Sequence, residues 1–551
     1  MLSTSFLQIN YKFMRYLFIL LSLLSIHLSA QKAKHNVKPK LVVGVVLDQM
    51  RPDYLIRFNK KFSQKGFNRL LKNGNECVNA FINYLPSYTG PGHTCIYTGS
   101  VPSLHGIASN DWFDRNTGKS VYCTQDNDAK NVGGTLKSGK MSPKNLWATT
   151  ITDELRLASN FKSKVIAISV KDRASILPGG HTANASYWMD DSNGVFMTSD
   201  FYMKSLPSWV SDFNTINYAS KLMNQNWNPL LPINNYIEST SDDNKYEGKF
   251  AGEYAPTFPH NTSNLKLSDI KKTPFGNEIL TLFAKEVLKN EKLGQGDETD
   301  FLAISYSSTD YVGHQFGPNS IEIEDTYLRM DQEIEKLLSY LDAQVGEGNY
   351  TLFLTADHAV AHNPQFLMDN KIPAGYFLGK VLKDTLNKFL LTKFQHPKMV
   401  NEIGENFIWL NDSLLKNATY KKEEIIAEIL NFCKQKEEIQ FAVDMNNIDK
   451  AMLPSIIKEM AINGFVAKRS GDILLLLNPA WLDAYAKTGT THGTWNPYDT
   501  HIPLIWFGAG IQKGKTMQQV YMTDIAATLA TLLHIQMPNA CIGKTIEEVL
   551  K

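Results

Sequence analysis

Three aspartates, three histidines and one threonine are the residues of this chain whose types and spacing could do chemistry together. Asp357 and His358 lie side by side in TLFLTADHAVAH, residues Thr351–His362. A carboxylate beside an imidazole is a half-site for a borderline divalent cation such as zinc. Asp310 and His314 bracket the run DYVGH. Positions i and i+4 share one face of a helical turn, so these two could hold one ion. Asp48 ends the apolar run LVVGVVL, and His492 sits in the Gly/Thr-rich loop Gly489–Gly493 rather than on an apolar face. Three Asp and three His can serve two metals with three protein ligands each, which leaves a zinc ion an open position. Two such ions about 4 Å apart can hold the attacking and the leaving oxygen of an in-line displacement.

The remaining candidates suit an anion. Thr89 precedes Gly90-Pro91-Gly92, where a helix can start, since proline costs little in a first turn. A helix start offers free N–H groups and a partial positive charge. A hydroxyl there is either a cap or a nucleophile, and a cap is the commoner role. Asn110, in Ser109-Asn110-Asp111, can donate two N–H bonds to an oxyanion, or simply make a turn. Lys171 and Arg173 follow the apolar run KVIAISV. Two residues apart, they point the same way if the strand continues, and Arg can clamp a phosphate with two bonds. The bland alternative is a solvated cluster part-neutralised by Asp172.

The elements that must position these groups are legible as apolar runs. Leu41–Leu47, Lys164–Val170, Phe301–Tyr306, Thr351–Leu354 and Ile502–Phe507 read as buried strands. Helices are expected near Phe62–Lys72, Phe275–Lys289, Ile321–Leu341 and Thr523–Leu533. The candidates fall at strand ends or in loops just beyond them, where open α/β sheets bind ligands. The fold class is therefore α/β, with a mostly parallel central sheet flanked by helices. Two stretches break the rhythm. Residues 187–273 are aromatic-rich and irregular; residues 369–481 carry amphipathic helices at Glu423–Lys436 and Asp449–Met460 and a strand at Ile473–Leu477. Both read as insertions that shape the pocket mouth of one catalytic domain spanning 31–551.

Composition bounds the rest. The chain has 551 residues and a formal net charge of +1, which gives no electrostatic reason to expect a nucleic-acid polymer or an acidic membrane as partner. Five cysteines make neither a dense disulfide framework nor a CxxC site. Lys12 and Arg15 precede the apolar run Tyr16–Leu28, and Ser29-Ala30 is followed by Gln31. That pattern reads as a secretory signal peptide over residues 1–30, with Met14 an alternative start. The run is short for a membrane span. The mature chain is expected to be periplasmic or secreted, monomeric, and without a membrane span.

The ordered set resembles the alkaline phosphatase superfamily of binuclear zinc phosphotransferases, in the segments 41–48, 83–110, 165–173, 301–314, 352–358 and 490–507. Within it the chain looks most like the secreted, phosphate-irrepressible bacterial alkaline phosphatases with a threonine nucleophile and a Lys-x-Arg pair. The resemblance implies two Zn²⁺ per chain. Asp310, His314 and His492 would bind one, and Asp48, Asp357 and His358 the other, which also contacts Thr89. It further implies hydrolysis of small phosphorylated metabolites through a phospho-threonine, with Asn110, Lys171 and Arg173 on the non-bridging oxygens. Two rival readings remain: a phosphodiesterase or nucleotide pyrophosphatase on the same core, and an exported zinc- or phosphate-binding relative without turnover. A sulfatase is disfavoured, because Thr89-Gly90-Pro91-Gly92-His93 lacks the Cys/Ser-x-Pro-x-Arg context.

Overall fold

The run LVVGVVL is buried along its whole length and forms the central strand of the sheet. The computed structural model describes residues 38–415, 420–484 and 487–551; the expected signal peptide lies outside them. The main strands are β1 (Leu41–Leu47), β2 (Asn75–Phe81), β3 (Val165–Ser169), β4 (Ala185–Met189), β5 (Phe196–Ser199), β6 (Asp300–Tyr306), β7 (Tyr350–Thr355), β8 (Leu504–Gly508) and β9 (Gly514–Tyr521). They lie in the order β2-β8-β7-β1-β6-β3-β4-β5, with β9 added on β2. The five strands from β7 to β4 are parallel, while β8 and β5 run against their neighbours. This is the expected α/β class. A strand buried on both faces can be apolar at every position, which is why β1, β3, β6 and β7 read as continuous runs.

Register decides where the chemistry falls. Leu47 of β1 lies opposite Tyr306 of β6, and Val46 lies opposite Thr355 of β7. Ser305 of β6 lies opposite Ser169 of β3. Four adjacent parallel strands thus end almost level. Asp48, Asp310, Asp357-His358 and Lys171–Arg173 all follow within a few residues of those ends. The helices that leave the same edge are α1 (Thr89–Thr98), α2 (Arg173–Gly179), α3 (Ser308–Phe316) and α4 (Ile321–Gln344).

Some expected elements shift for identifiable reasons. The strand expected over Lys164–Val170 ends at Ser169, and Arg173 opens a helix. Lys171 and Arg173 are therefore not strand neighbours pointing one way. Pro503 divides the strand expected at Ile502–Phe507, since proline has no N–H for the ladder. The helix expected from Phe62 starts at Phe67, where the Asp331 carboxylate accepts the N–H groups of Ser63 and Phe67. Pro454 splits the helix expected at Asp449–Met460 into a 3₁₀ turn over Met445–Lys450 and a helix over Ser455–Gly464. The stretch from 187 opens inside the central sheet, as β4 and β5, before its helices begin.

Residues 375–483 build a smaller structure of their own. Strands Val400–Gly404, Phe407–Leu410, Ile473–Leu477 and Ile439–Asp444 form an antiparallel sheet in that order. Alternate side chains of Ile473–Leu477 serve two clusters. Ile473, Leu475 and Leu477 pack with Leu386, Leu390 and Ile429 beneath the sheet. Leu474 and Leu476 pack with Trp409, Met460 and Leu85 on its other face. Leu85 belongs to the loop that leads to Thr89, so the second cluster ties this sheet to the level strand ends.

Candidate active site

The six expected ligands form two groups. Asp310, His314 and His492 are one; Asp48, Asp357 and His358 are the other, and the potential ligand atoms within each group lie within 4.8 Å of one another. In the first, His314 Nε2 lies 3.0 Å from Asp310 Oδ1, and His492 Nε2 lies 3.8 Å from the same oxygen. In the second, His358 Nε2 lies 3.5 Å from both Asp48 Oδ1 and Asp357 Oδ2. The groups touch through His358 and His492, whose rings stack 3.5 Å apart.

Both groups have the donor chemistry a divalent cation needs. Asp48 Oδ1 is buried and has no hydrogen-bond donor, and Asp357 Oδ2 has only the His93 ring 3.3 Å away, although both face His358. Buried carboxylate oxygens are rarely left so. Each histidine turns Nδ1 to a backbone carbonyl: Thr490 at 2.9 Å for His314, Ser87 at 2.8 Å for His492 and Ala359 at 3.1 Å for His358. A carbonyl only accepts, so Nδ1 carries the proton and Nε2 presents its lone pair, the arrangement of metal-ligating imidazoles. Burial lowers the pKa of His358, and burial with its two neighbouring histidines puts His492 well below its usual range. Burial and repulsion from Asp357 push the Asp48 carboxyl well up despite Lys171. Burial also opposes ionisation of Asp310, but His314 and Lys171 overcome it and hold Asp310 well below the usual carboxylate range. Asp310 in turn raises the pKa of His314, so only His358 and His492 are kept neutral by their surroundings, and the crowded carboxylates beside them are relieved by positive charge.

Thr89 is the first residue of α1 and almost fully buried. Its hydroxyl does not cap the helix; Oγ1 lies 3.4 Å from His358 Nε2, at the second group. Gly92 lets α1 come so close, because a Cβ there would sit 2.5 Å from the Asp357 carbonyl oxygen. Asn110 Oδ1 accepts the Gly90 N–H at 2.8 Å, which directs its amide N–H₂ away from that bond.

The two cations have different partners. Lys171 Nζ lies 2.7 Å from Asp48 Oδ2 and 2.6 Å from Asp310 Oδ2, so it bridges one carboxylate of each group. Arg173 Nη1 donates to the Tyr122 hydroxyl at 3.0 Å, and its buried Nε has no acceptor. The Tyr122 hydroxyl donates in turn to Asp172, whose carboxylate accepts the Arg173 N–H. A cavity of about 420 Å³ opens beside both cations, lined also by Tyr122, Tyr311, Trp188 and Lys271.

Three supporting residues lie outside the expected set, and two of them, Gln49 and Tyr122, gave no signal in the sequence. The Gln49 N–H donates to Asp357 Oδ1, and its side-chain amide donates to Asp310 Oδ1 at 2.7 Å. The amide lies so near Gly313 that a Cβ there would meet Gln49 Oε1 at 1.9 Å. Tyr122 orients Arg173, as above. His93, which has no paired carboxylate in sequence, lies with Nδ1 3.3 Å from Asp357 Oδ2 and 3.0 Å from the Thr89 carbonyl. Its i+4 position after Thr89 on one helix was the available clue.

The chain matches the model of the type I phosphodiesterase / nucleotide pyrophosphatase family over residues 42–499. It is 48% identical to alkaline phosphatase PhoV of Synechococcus elongatus, over 93% of this chain and 93% of that one. It is 49% identical to a Myroides odoratus protein named calcium-transporting ATPase, over 93% of this chain and 95% of that one. It is 44% identical to alkaline phosphatase PafA of Elizabethkingia meningoseptica, over 95% of this chain and 96% of that one. The crystal structure of wild-type PafA matches with a TM-score of 0.91 over 93% of this chain and 99% of that chain. A PafA variant substituted at a threonine, an asparagine, a lysine and an arginine, in that chain order, matches equally well, with a TM-score of 0.91. The chain belongs to the type I phosphodiesterase / nucleotide pyrophosphatase family, within the alkaline phosphatase superfamily and beside the alkaline phosphatases PhoV and PafA.

Proposed function

We propose that this protein hydrolyses phosphate monoesters with Thr89 as nucleophile, through a phospho-threonine, and releases inorganic phosphate. The observation that carries the reading is the placement of the Thr89 hydroxyl against His358, between helix N–H groups and two carboxylate–histidine triads. The named alkaline phosphatase relatives support it, as does the Thr, Asn, Lys, Arg order shared with the substituted PafA residues. Two zinc ions suit the triads: Asp48, Asp357 and His358 would hold one, Asp310, His314 and His492 the other. When bound, zinc supplies Lewis acidity and lowers the pKa of an oxygen at its open position.

The chain's own groups do the rest. Thr89 Oγ1 presents the attacking oxygen from a rigid helix start, so little orientation entropy is lost on reaction. Arg173 spends one donor on Tyr122 and keeps the others for phosphoryl oxygens; Asn110 adds its N–H₂. Lys171 adds a fixed positive charge at the junction of the triads. Such preset donors and charges stabilise the negative charge that shifts during transfer. Export and cleavage after residue 30 follow from the leader-like sequence. Among the described residues, no helix is long and apolar enough to cross a membrane.

A monoester carries one more charged oxygen than a diester, so loss of a cation should harm it more. Arg173→Ala is expected to cut kcat/KM about 100-fold for an aryl phosphate and about tenfold or less for the matched methyl aryl diester. Equal losses on both substrates would contradict the role given to Arg173. A wild-type kcat/KM higher on the diester would favour the phosphodiesterase reading.

A further inference from the structure

We infer that the two-residue turn Glu405-Asn406, at the tip of the hairpin Val400–Leu410, is a positioning device that braces the active site from outside the main sheet. The inference rests on the catalytic roles proposed above for Asn110 and His492. Gly404 pairs with Phe407, so Glu405 and Asn406 are the two central residues of the turn. Both are left-handed, with φ of 48° and 63°. Glycine, asparagine and aspartate suit such turns, and glutamate does so poorly. A strained residue at a site's edge points to a role for its side chain.

The two side chains reach two different loops of the site. The Glu405 carboxylate accepts the hydroxyl proton of Ser109, the residue before Asn110. Asn110 in turn holds the Gly90 N–H. Asn406 Nδ2 donates to the Gly493 carbonyl at 2.6 Å, one residue beyond His492. His492 is bonded to the Ser87 carbonyl, and Ser87 Oγ donates to the Thr494 carbonyl at 2.9 Å. The turn thus ties the Asn110 loop and the His492 loop to one rigid hairpin.

The helix Ser455–Gly464, which packs in the same cluster as the hairpin's Phe407 and Trp409, is bonded to the nucleophile loop. The Leu85 N–H donates to the Met460 carbonyl at 3.1 Å, and Asn463 Nδ2 to the Asn83 carbonyl at 2.8 Å. Leu85 also packs with Phe407 and Trp409. Burial pushes the Glu405 carboxyl up to about 7, although the Ser109 bond and Arg173 pull it down. In the alkaline range it is an ionised acceptor, and the strongest kind for a hydroxyl.

A double-mutant cycle tests the bracing of Asn110. Glu405→Ala should lower kcat/KM for an aryl phosphate about tenfold, with a similar weakening of inhibition by inorganic phosphate. On an Asn110→Ala background the same change should cost less than about twofold. Glu405→Gln should restore most of the loss, because its amide oxygen also accepts the Ser109 proton. Ser109→Ala removes the same bond from the other side and should match Glu405→Ala, whatever Glu405→Ala does to folding. A full loss on the Asn110→Ala background, a Glu405→Gln variant as poor as alanine, or no loss at all would overturn the inference. Asn406→Ala should retain less zinc after a chelator challenge than wild type, and equal retention would remove His492 from the account. Wild-type protein without monoesterase activity would instead sink the catalytic reading, and zinc retention would still report on the turn.

Discussion

Thr89→Ala will lose at least about 10³-fold in phosphate monoester hydrolysis while the protein folds and keeps its metal. The threonine side chain has little structural work: it does not cap α1, and its one hydrogen-bond partner is His358 at 3.4 Å. Losing one such bond costs about 1 kcal/mol, a small part of a domain's stability. On the proposed mechanism, losing the attacking oxygen removes the route through a phospho-threonine altogether. Thr89→Ser keeps the hydroxyl and should keep measurable activity. Steady-state assays, with zinc content and a melting curve for each variant, check the prediction. Activity of Thr89→Ala within about tenfold of wild type would mean that another group or water is the nucleophile.

His358→Ala will cost about as much, by a different route. His358 is the contact between the two triads: it faces Asp48 and Asp357, stacks on His492 and lies 3.4 Å from the Thr89 hydroxyl. Its removal leaves two buried carboxylates, Asp48 and Asp357, without the imidazole both of them face. Zinc bound per chain should fall below two, and monoesterase activity should fall at least about 10³-fold. Weaker binding shrinks the stability that a ligand adds, so the variant should gain less melting temperature from added zinc than metal-stripped wild type does. Metal analysis and melting curves across a zinc titration measure both effects. Two zinc ions retained with unchanged activity would remove His358 from the site.

Much of the fold was legible because the central strands are buried on both faces. Such strands are apolar at every position, so β1, β6 and β7 announce themselves as runs with a polar break behind them. The break also marks the carboxyl end, and five of the six ligand candidates follow it, His492 arriving from a separate loop. What fails is the strand end at Lys171–Arg173. No periodicity told that the chain turns into a helix at Arg173, so the two cations read as a matched pair when they have separate partners. Prolines 454 and 503 also cut elements that hydrophobic pattern alone had joined.

The supporting residues were invisible for another reason. Gln49, Tyr122 and Glu405 act through hydrogen bonds to residues far away in the sequence, with separations of 261 and 296 for Gln49–Asp310 and Glu405–Ser109. No local spacing encodes a partner that distant. Glu405 was further hidden inside a stretch read as an insertion at the pocket mouth. The hairpin that carries it becomes relevant only once the sheet of residues 400–477 is seen packed against Leu85.

Metal-dependent monoester hydrolysis at the two triads can be tested by stripping and restoring the metal. Purified mature protein would be assayed on an aryl phosphate before chelation, after removal of metal by chelator and dialysis, and after zinc is added back. Activity should disappear on stripping and return as zinc approaches two per chain. Activity indifferent to stripping, or no activity in fully zinc-loaded protein, would contradict it.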